Sequence, residues 1–264
     1  MTRPVRIGFQ LQPQHAPEYQ SIRDAVLRAE DLGVDIVFTW DHFYPLYGDP
    51  DGAHFECWTM LAAWAERTER VEIGALVSGG GYRNPDLLAD MARTVDHISR
   101  GRLILGIGGG WFEKDYQQYG YEFGTAGSRL RLLGENLARI RDRLTHLNPA
   151  PTRHIPILIG GGGERKTLRL VAEYADIWHS FADLDVLDHK SRVLAGHCTD
   201  VGRDPHHIER SVAWPGTEKA QAFVDAGISL FTVGAEGPDY DLTTVAEAVR
   251  WRDERSPQPV TGLA

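Results

Sequence analysis

Pro156-Ile-Leu-Ile-Gly-Gly-Gly-Gly163 runs into Glu164-Arg-Lys-Thr-Leu-Arg-Leu-Val-Ala-Glu-Tyr-Ala-Asp-Ile-Trp178. The first tract reads as a buried apolar strand ending in four glycines. The second reads as an amphipathic helix over residues 165–174 that gives way to a further apolar strand at 175–178. Strand, turn, helix, strand is the unit of parallel α/β folds, since parallel strands need a crossover connection. The glycines also bring bare N–H groups to a helix N-terminus, where the dipole is positive and an anion such as a phosphate can be held. The competing reading is a tight turn that needs positive φ. No Gly-Lys-Ser/Thr ending follows, so the tract is not a P-loop, and four consecutive glycines match the dinucleotide pattern only degenerately.

Outward from this unit, the same alternation fills the chain. Strands are expected at residues 5–11, 35–40, 71–77, 103–107, 155–159, 175–178, 208–212 and 228–233. Helices are expected at 18–33, 57–67, 85–98, 128–147, 165–174, 184–200, 217–226 and 243–252. Leu32-Gly33-Val34-Asp35-Ile36 and Asp225-Ala226-Gly227-Ile228 are helix ends that hand over to strands. Eight such units in roughly 250 residues predict a (β/α)8 TIM barrel, with a doubly wound sheet as the alternative. No Pro/Ser-rich linker divides the chain, so residues 1–264 are expected to form a single domain. In such a barrel the chemistry sits where strands end. Those places hold Gln10 and Gln12, Asp41 and His42, residues 78–81, residues 108–111, residues 160–163, His179 and Ser180, Trp214 and Pro215, and residues 234–236.

Composition narrows the partners. A net charge of −9 argues against a nucleic-acid surface and an anionic membrane, and no apolar stretch is long enough to span a bilayer. A small-molecule substrate is left. Cys57 and Cys198 lie far apart and outside any Cys-x-x-Cys pair, which suits free thiols in the cytoplasm.

At the strand ends, Asp41, His42 and His179 are too few donors for a dedicated metal site, so no metal is expected. No expected strand carries the Lys of a Schiff-base aldolase. The mouth is instead glycine-rich and aromatic, with Trp40, Trp111, Trp178 and Trp214 at strand ends. Glycines beside aromatics suit a flat, largely uncharged ring with a phosphate at one end, although each Trp taken alone suits core packing equally well.

Four segments carry a family resemblance. They are Ala29-Glu-Asp-Leu-Gly-Val-Asp-Ile-Val-Phe-Thr-Trp-Asp-His42; Arg70-Val-Glu-Ile-Gly-Ala-Leu-Val-Ser78 with Arg83-Asn-Pro85; Asp96-His-Ile-Ser-Arg-Gly-Arg-Leu-Ile-Leu-Gly-Ile-Gly-Gly-Gly-Trp-Phe-Glu113; and residues 155–178. In this order they resemble the bacterial luciferase-like flavin monooxygenases, and within them the deazaflavin (coenzyme F420)-dependent oxidoreductases. The resemblance implies that Asp41 and His42 border the ring, with His42 as proton donor or substrate contact. It implies a non-proline cis peptide backing the ring in the third strand, matched by Leu76-Val77. It implies a cofactor phosphate on Gly161, Gly162 and Gly163 with Arg165 nearby, and a cofactor chain passing close to Gly108 and Gly109. Relatives are often dimers, which makes a homodimer the assembly to test.

The sugar-phosphate dehydrogenase branch carries a Trp shortly after its Asp-His pair and a Glu after the fourth strand's glycines. Leu46 and Trp111 stand there instead, so a glucose 6-phosphate dehydrogenase is not the expectation. The leading expectation is an F420-dependent oxidoreductase exchanging a hydride between the deazaflavin C5 and a small organic substrate. An FMN-dependent monooxygenase using reduced flavin and oxygen is the first alternative, and a barrel that binds a cofactor without turnover is the second.

Overall fold

Hydrophobic alternation and helical spacing resolve into a closed barrel in the computed structural model, which describes residues 4–255. The strands β1 (Arg6–Gln12), β2 (Ile36–Asp41), β3 (Glu72–Gly79), β4 (Leu103–Gly108), β5 (Ile157–Gly160), β6 (Ile177–His179), β7 (Glu209–Ala213) and β8 (Leu230–Glu236) pair in chain order. Every pairing is parallel, and β8 closes on β1 through Arg6↔Leu230 to Gln12↔Glu236. The TIM-barrel expectation therefore holds. Among the described residues the helices are α1 (Tyr19–Leu32), α2 (Cys57–Arg67), α3 (Pro85–Ile98), α4 (Glu113–Tyr119), α5 (Ala126–His146), α6 (Thr167–Tyr174), α7 (Leu184–Asp200), α8 (Thr217–Asp225) and α9 (Thr243–Asp253). None of them is long and apolar enough to cross a membrane.

Two apolar cores follow from the period of two along each strand. Ile36, Phe38, Leu76, Ile104, Leu158, Ile177 and Leu230 fill the barrel interior. The alternate residues, such as Val37, Ile73, Leu105 and Phe231, pack outward against the helices. The floor is tied by Arg6, whose guanidinium reaches Glu72 at 2.5 Å and Glu209 at 2.5 and 3.2 Å.

β3 breaks the alternation. Thr39 pairs with Ala75 but Asp41 pairs with Ser78, and on the other side Gly74 pairs with Ile104 but Ser78 with Ile107. One extra residue is thus accommodated between 75 and 78, a β-bulge. Consequently Leu76 and Val77 both face the barrel interior, while Ser78 turns outward and accepts from Trp58 Nε1 of α2 at 2.9 Å.

The element not anticipated is α4. It has seven residues, Glu113-Lys-Asp-Tyr-Gln-Gln-Tyr119, with no apolar repeat long enough to register, and it stops at Gly120 in the left-handed region (φ 68°). Likewise α6 starts at Thr167, two residues later than expected, because residues 164–166 form a turn.

Candidate active site

The strand ends open into a cavity of about 420 Å³. Its wall comes from the loops after β2, β3, β4, β5 and β6 and from the first turns of α5 and α6. This is the C-terminal face, where βα loops place chemistry on a rigid scaffold.

Asp41 ends β2 and is fully buried. Arg83 grips both of its oxygens, at 2.5 and 3.1 Å, and also reaches Glu56 at 2.6 Å. Glu56 in turn caps α2 by accepting from the N–H groups of Trp58 and Thr59. Burial pushes the Asp41 carboxyl above its ordinary range, against the opposing pull of the Arg83 guanidinium. Asp41 lies in the cavity wall as expected, but its charge is already matched by a neighbouring cation.

His42 is the next residue and is 8% exposed. Its Nδ1 lies 2.7 Å from Oδ2 of Asp115 on α4. A carboxylate only accepts, so this bond requires Nδ1–H and leaves Nε2 as the nitrogen able to act in the cavity that His42 lines. Asp115 is itself held: it accepts from the Phe43 N–H at 3.2 Å and from the Tyr82 hydroxyl at 2.8 Å. Burial and the adjacent Asp115 charge push the Tyr82 phenol up, so it stays a donor. The edges of Trp111 and Phe112, with ring centroids 5.8 and 5.5 Å away, enclose the imidazole.

Leu76 and Val77 form the back wall, joined by a non-proline cis peptide at the expected bond. The neighbouring glycines are explained by Val77. A Cβ on Gly108 would lie 2.8 Å from Val77 Cγ2, and one on Gly160 would lie 3.3 Å from Cγ1. Gly109 lines the cavity beside Leu130.

Of the expected phosphate residues, Gly161 lines the cavity and needs glycine at φ 127°. Gly162, Gly163 and Arg165 are not in the cavity wall. The Gly162 carbonyl accepts from Lys190 at 2.6 Å, and Arg165 is exposed. Of the four glycines, Gly160 and Gly161 line the cavity. In place of Gly162, Gly163 and Arg165 the wall contains Thr167, 6% exposed at the start of α6, and Arg129 in the first turn of α5. Arg129 bonds the Gly110 and Phe123 carbonyls at 3.0 and 3.2 Å and lies over the Phe123 ring.

Asp115, Tyr82, Arg83, Arg129 and Thr167 were not singled out by sequence reasoning. A signal existed for Arg129, since Thr125 and Ser128 form a capping box that fixes where α5 begins. Asp115 had none, because its helix was not read.

Residues 5–215 match the sequence profile of the luciferase-like monooxygenases. The chain belongs to this family. Similar luciferase-like relatives include F420-dependent glucose-6-phosphate dehydrogenases of Amycolatopsis mediterranei, 30% identical over 65% of this chain and 54% of the relative, and of Intrasporangium calvum, 33% identical over 58% and 49%. The chain thus spans about half the length of these curated relatives. An F420-dependent secondary alcohol dehydrogenase, solved with an F420-acetone adduct, shares the fold with a TM-score of 0.83 at 17% identity, covering 95% of this chain and 99% of that one.

Proposed function

We propose that this chain is a coenzyme F420-dependent oxidoreductase acting on a small organic substrate. The observation that carries this reading is the meeting, in one cavity, of the flat Leu76–Val77 wall with His42, whose Nδ1 is bound by Asp115. Support for the deazaflavin comes from relatives named as F420-dependent. The residues fit the cofactor in shape and charge. An apolar wall of Leu76 and Val77 suits a tricyclic ring, while Arg129, Thr167 and Gly161 offer a cation, a hydroxyl and bare backbone for a phosphate.

When bound, the deazaflavin supplies the hydride acceptor or donor at C5. The chain supplies orientation, a partly dry cavity and a proton site. His42 Nε2 takes the proton of a substrate hydroxyl, or returns it to a carbonyl oxygen in the reverse direction. Asp115 holds the tautomer that makes Nε2 available and stabilises the imidazolium that forms. Tyr82 and the Phe43 N–H keep Asp115 in place.

A cytoplasmic setting and a homodimeric assembly belong to the same proposal; light scattering of the purified protein tests the second. The test of function is a tryptophan-fluorescence titration with F420 and, separately, FMN. Saturable quenching by F420 alone, weakened in Arg129→Gln, is expected. Preference for FMN together with oxygen consumption would instead make the protein a flavin monooxygenase. Binding of neither would refute the cofactor site.

A further inference from the structure

Large apolar side chains left in water mark a surface built to be covered, especially when several share one cavity. Among the described residues, Tyr47 (61% exposed), Trp111 (61%) and Phe181 (78%) are of this kind, and all three line the cavity. They come from the loops after β2, β4 and β6, so they approach the mouth from three sides of the barrel.

The β2 member of this rim is fixed. The side-chain Oε1 of buried Gln14 accepts from the Leu46 and Tyr47 N–H groups at 2.8 and 3.4 Å, and His15 Nε2 lies 2.8 Å from the Tyr47 carbonyl. Trp111 is placed by its edge contact with His42, and Phe181 by an edge contact with His179 at 4.9 Å between centroids. A loop whose main chain is fixed in this way keeps less freedom to lose when a ligand covers it.

The charges of the cavity wall point the same way. The wall's acidic and basic side chains are Asp41 and Arg129, with His42 as the proton site. Asp41 is matched by Arg83. Arg129 gives its Nε and Nη1 donors to main-chain carbonyls, and under the reading above it serves the cofactor phosphate rather than the substrate. Among the described residues, no Lys and no second Arg stands in the wall for an anionic substrate.

We propose that the substrate is an uncharged compound with an extended apolar face and one hydroxyl or carbonyl oxygen. The face lies on Trp111, Phe181 and Tyr47, the oxygen meets His42 Nε2, and phosphorylated sugars are disfavoured. This substrate class rests on the F420 reading for the assignment of Arg129, while the aromatic rim stands independently of it.

The test is equilibrium binding of two probes, naphthylmethanol and glucose 6-phosphate, by ligand-observed NMR, on the protein alone and with saturating F420. Naphthylmethanol is expected to bind at least about tenfold more tightly than the sugar phosphate, and Trp111→Ala and Phe181→Ala are each expected to weaken it about fivefold or more. Phe181 is mostly in solvent, so its variant folds and keeps the test meaningful. Equal or tighter binding of glucose 6-phosphate, lost in Arg129→Gln, overturns the proposal. So does naphthylmethanol binding that ignores both aromatic substitutions. F420 binding is read in the same titrations, so its absence would sink the cofactor reading while the probe comparison on the protein alone still decides the rim.

Discussion

Nδ1 of His42 and Oδ2 of Asp115 stand 2.7 Å apart although 73 positions separate them in the chain. The contact joins the end of β2 to a helix of only seven residues, and both groups are almost withdrawn from solvent. In Asp115→Asn the amide can offer N–H to the ring and select the opposite tautomer, which takes the lone pair off Nε2. Turnover is expected to fall by about a hundredfold. F420 affinity should hardly change, and a kcat unaffected by the substitution would remove Asp115 from the positioning of His42.

Tyr82→Phe is the milder form of the same experiment. It deletes the hydroxyl that donates to Asp115 but keeps the ring stacked on Tyr121 and in tilted contact with Phe43 and Tyr116. The loss of one hydrogen bond to a charged group corresponds to about 1.5–3 kcal/mol in stability at most, and kcat should fall less than in Asp115→Asn. Urea denaturation and steady-state kinetics on both variants test the ranking.

Removing Arg83 strands a buried carboxylate. Arg83→Met is expected to destabilise the fold by about 3–5 kcal/mol, because the buried Asp41 loses its bidentate partner. Combining it with Asp41→Asn should recover much of that loss. A double variant no more stable than Arg83→Met would show that the pair is not what holds this end of β2.

Gly108→Ala puts a methyl 2.8 Å from Val77 Cγ2. Overpacking of this sort costs about 1–3 kcal/mol, and Val77→Ala in the same chain should relieve it. The thermal midpoints of the two single variants and the double variant decide the matter. If Val77→Ala gives no relief, the glycine is required by something other than the side chain it faces.

His179 sets a pH dependence. It is 3% exposed, and burial lowers its pKa from 6.5 to about 4. The folded form therefore disfavours the imidazolium more than the unfolded chain does. Its contribution is fully present above pH 6.5 and is lost as pH falls through the window down to about 4, amounting to about 3 kcal/mol. Denaturant midpoints should decline over this interval in the native protein and less steeply in His179→Gln.

Most of the barrel was legible because its signals are local. Strand alternation, the Asn84-Pro85 helix start and the Gly33 helix stop each act within a few residues. The cavity wall was legible at the strand end that carries Asp41 and His42, while Leu76-Val77 was reached through the family resemblance. Asp115 depends on a helix too short to show a period, and Arg83 acts on Asp41 from 42 positions away. The glycine run is unspecific for a related reason. Four equal residues do not say which of them meet the cavity; Gly160 and Gly161 line it, while the Gly162 carbonyl accepts from Lys190.

The bulge in β3 has a consequence for exchanging parts between barrels. A strand with one residue more than its neighbours shifts the phase of everything after it. If β3 were replaced by a straight strand of equal hydrophobicity, the side chain at position 77 would point to α2, and Ser78 would turn inward and lose Trp58. The adjacent inward pair Leu76 and Val77 would be split, and the back wall of the cavity would lose Val77. A graft into this scaffold must therefore carry β3 together with the glycines at 106, 108 and 160 that make room for it, as one transplantable unit.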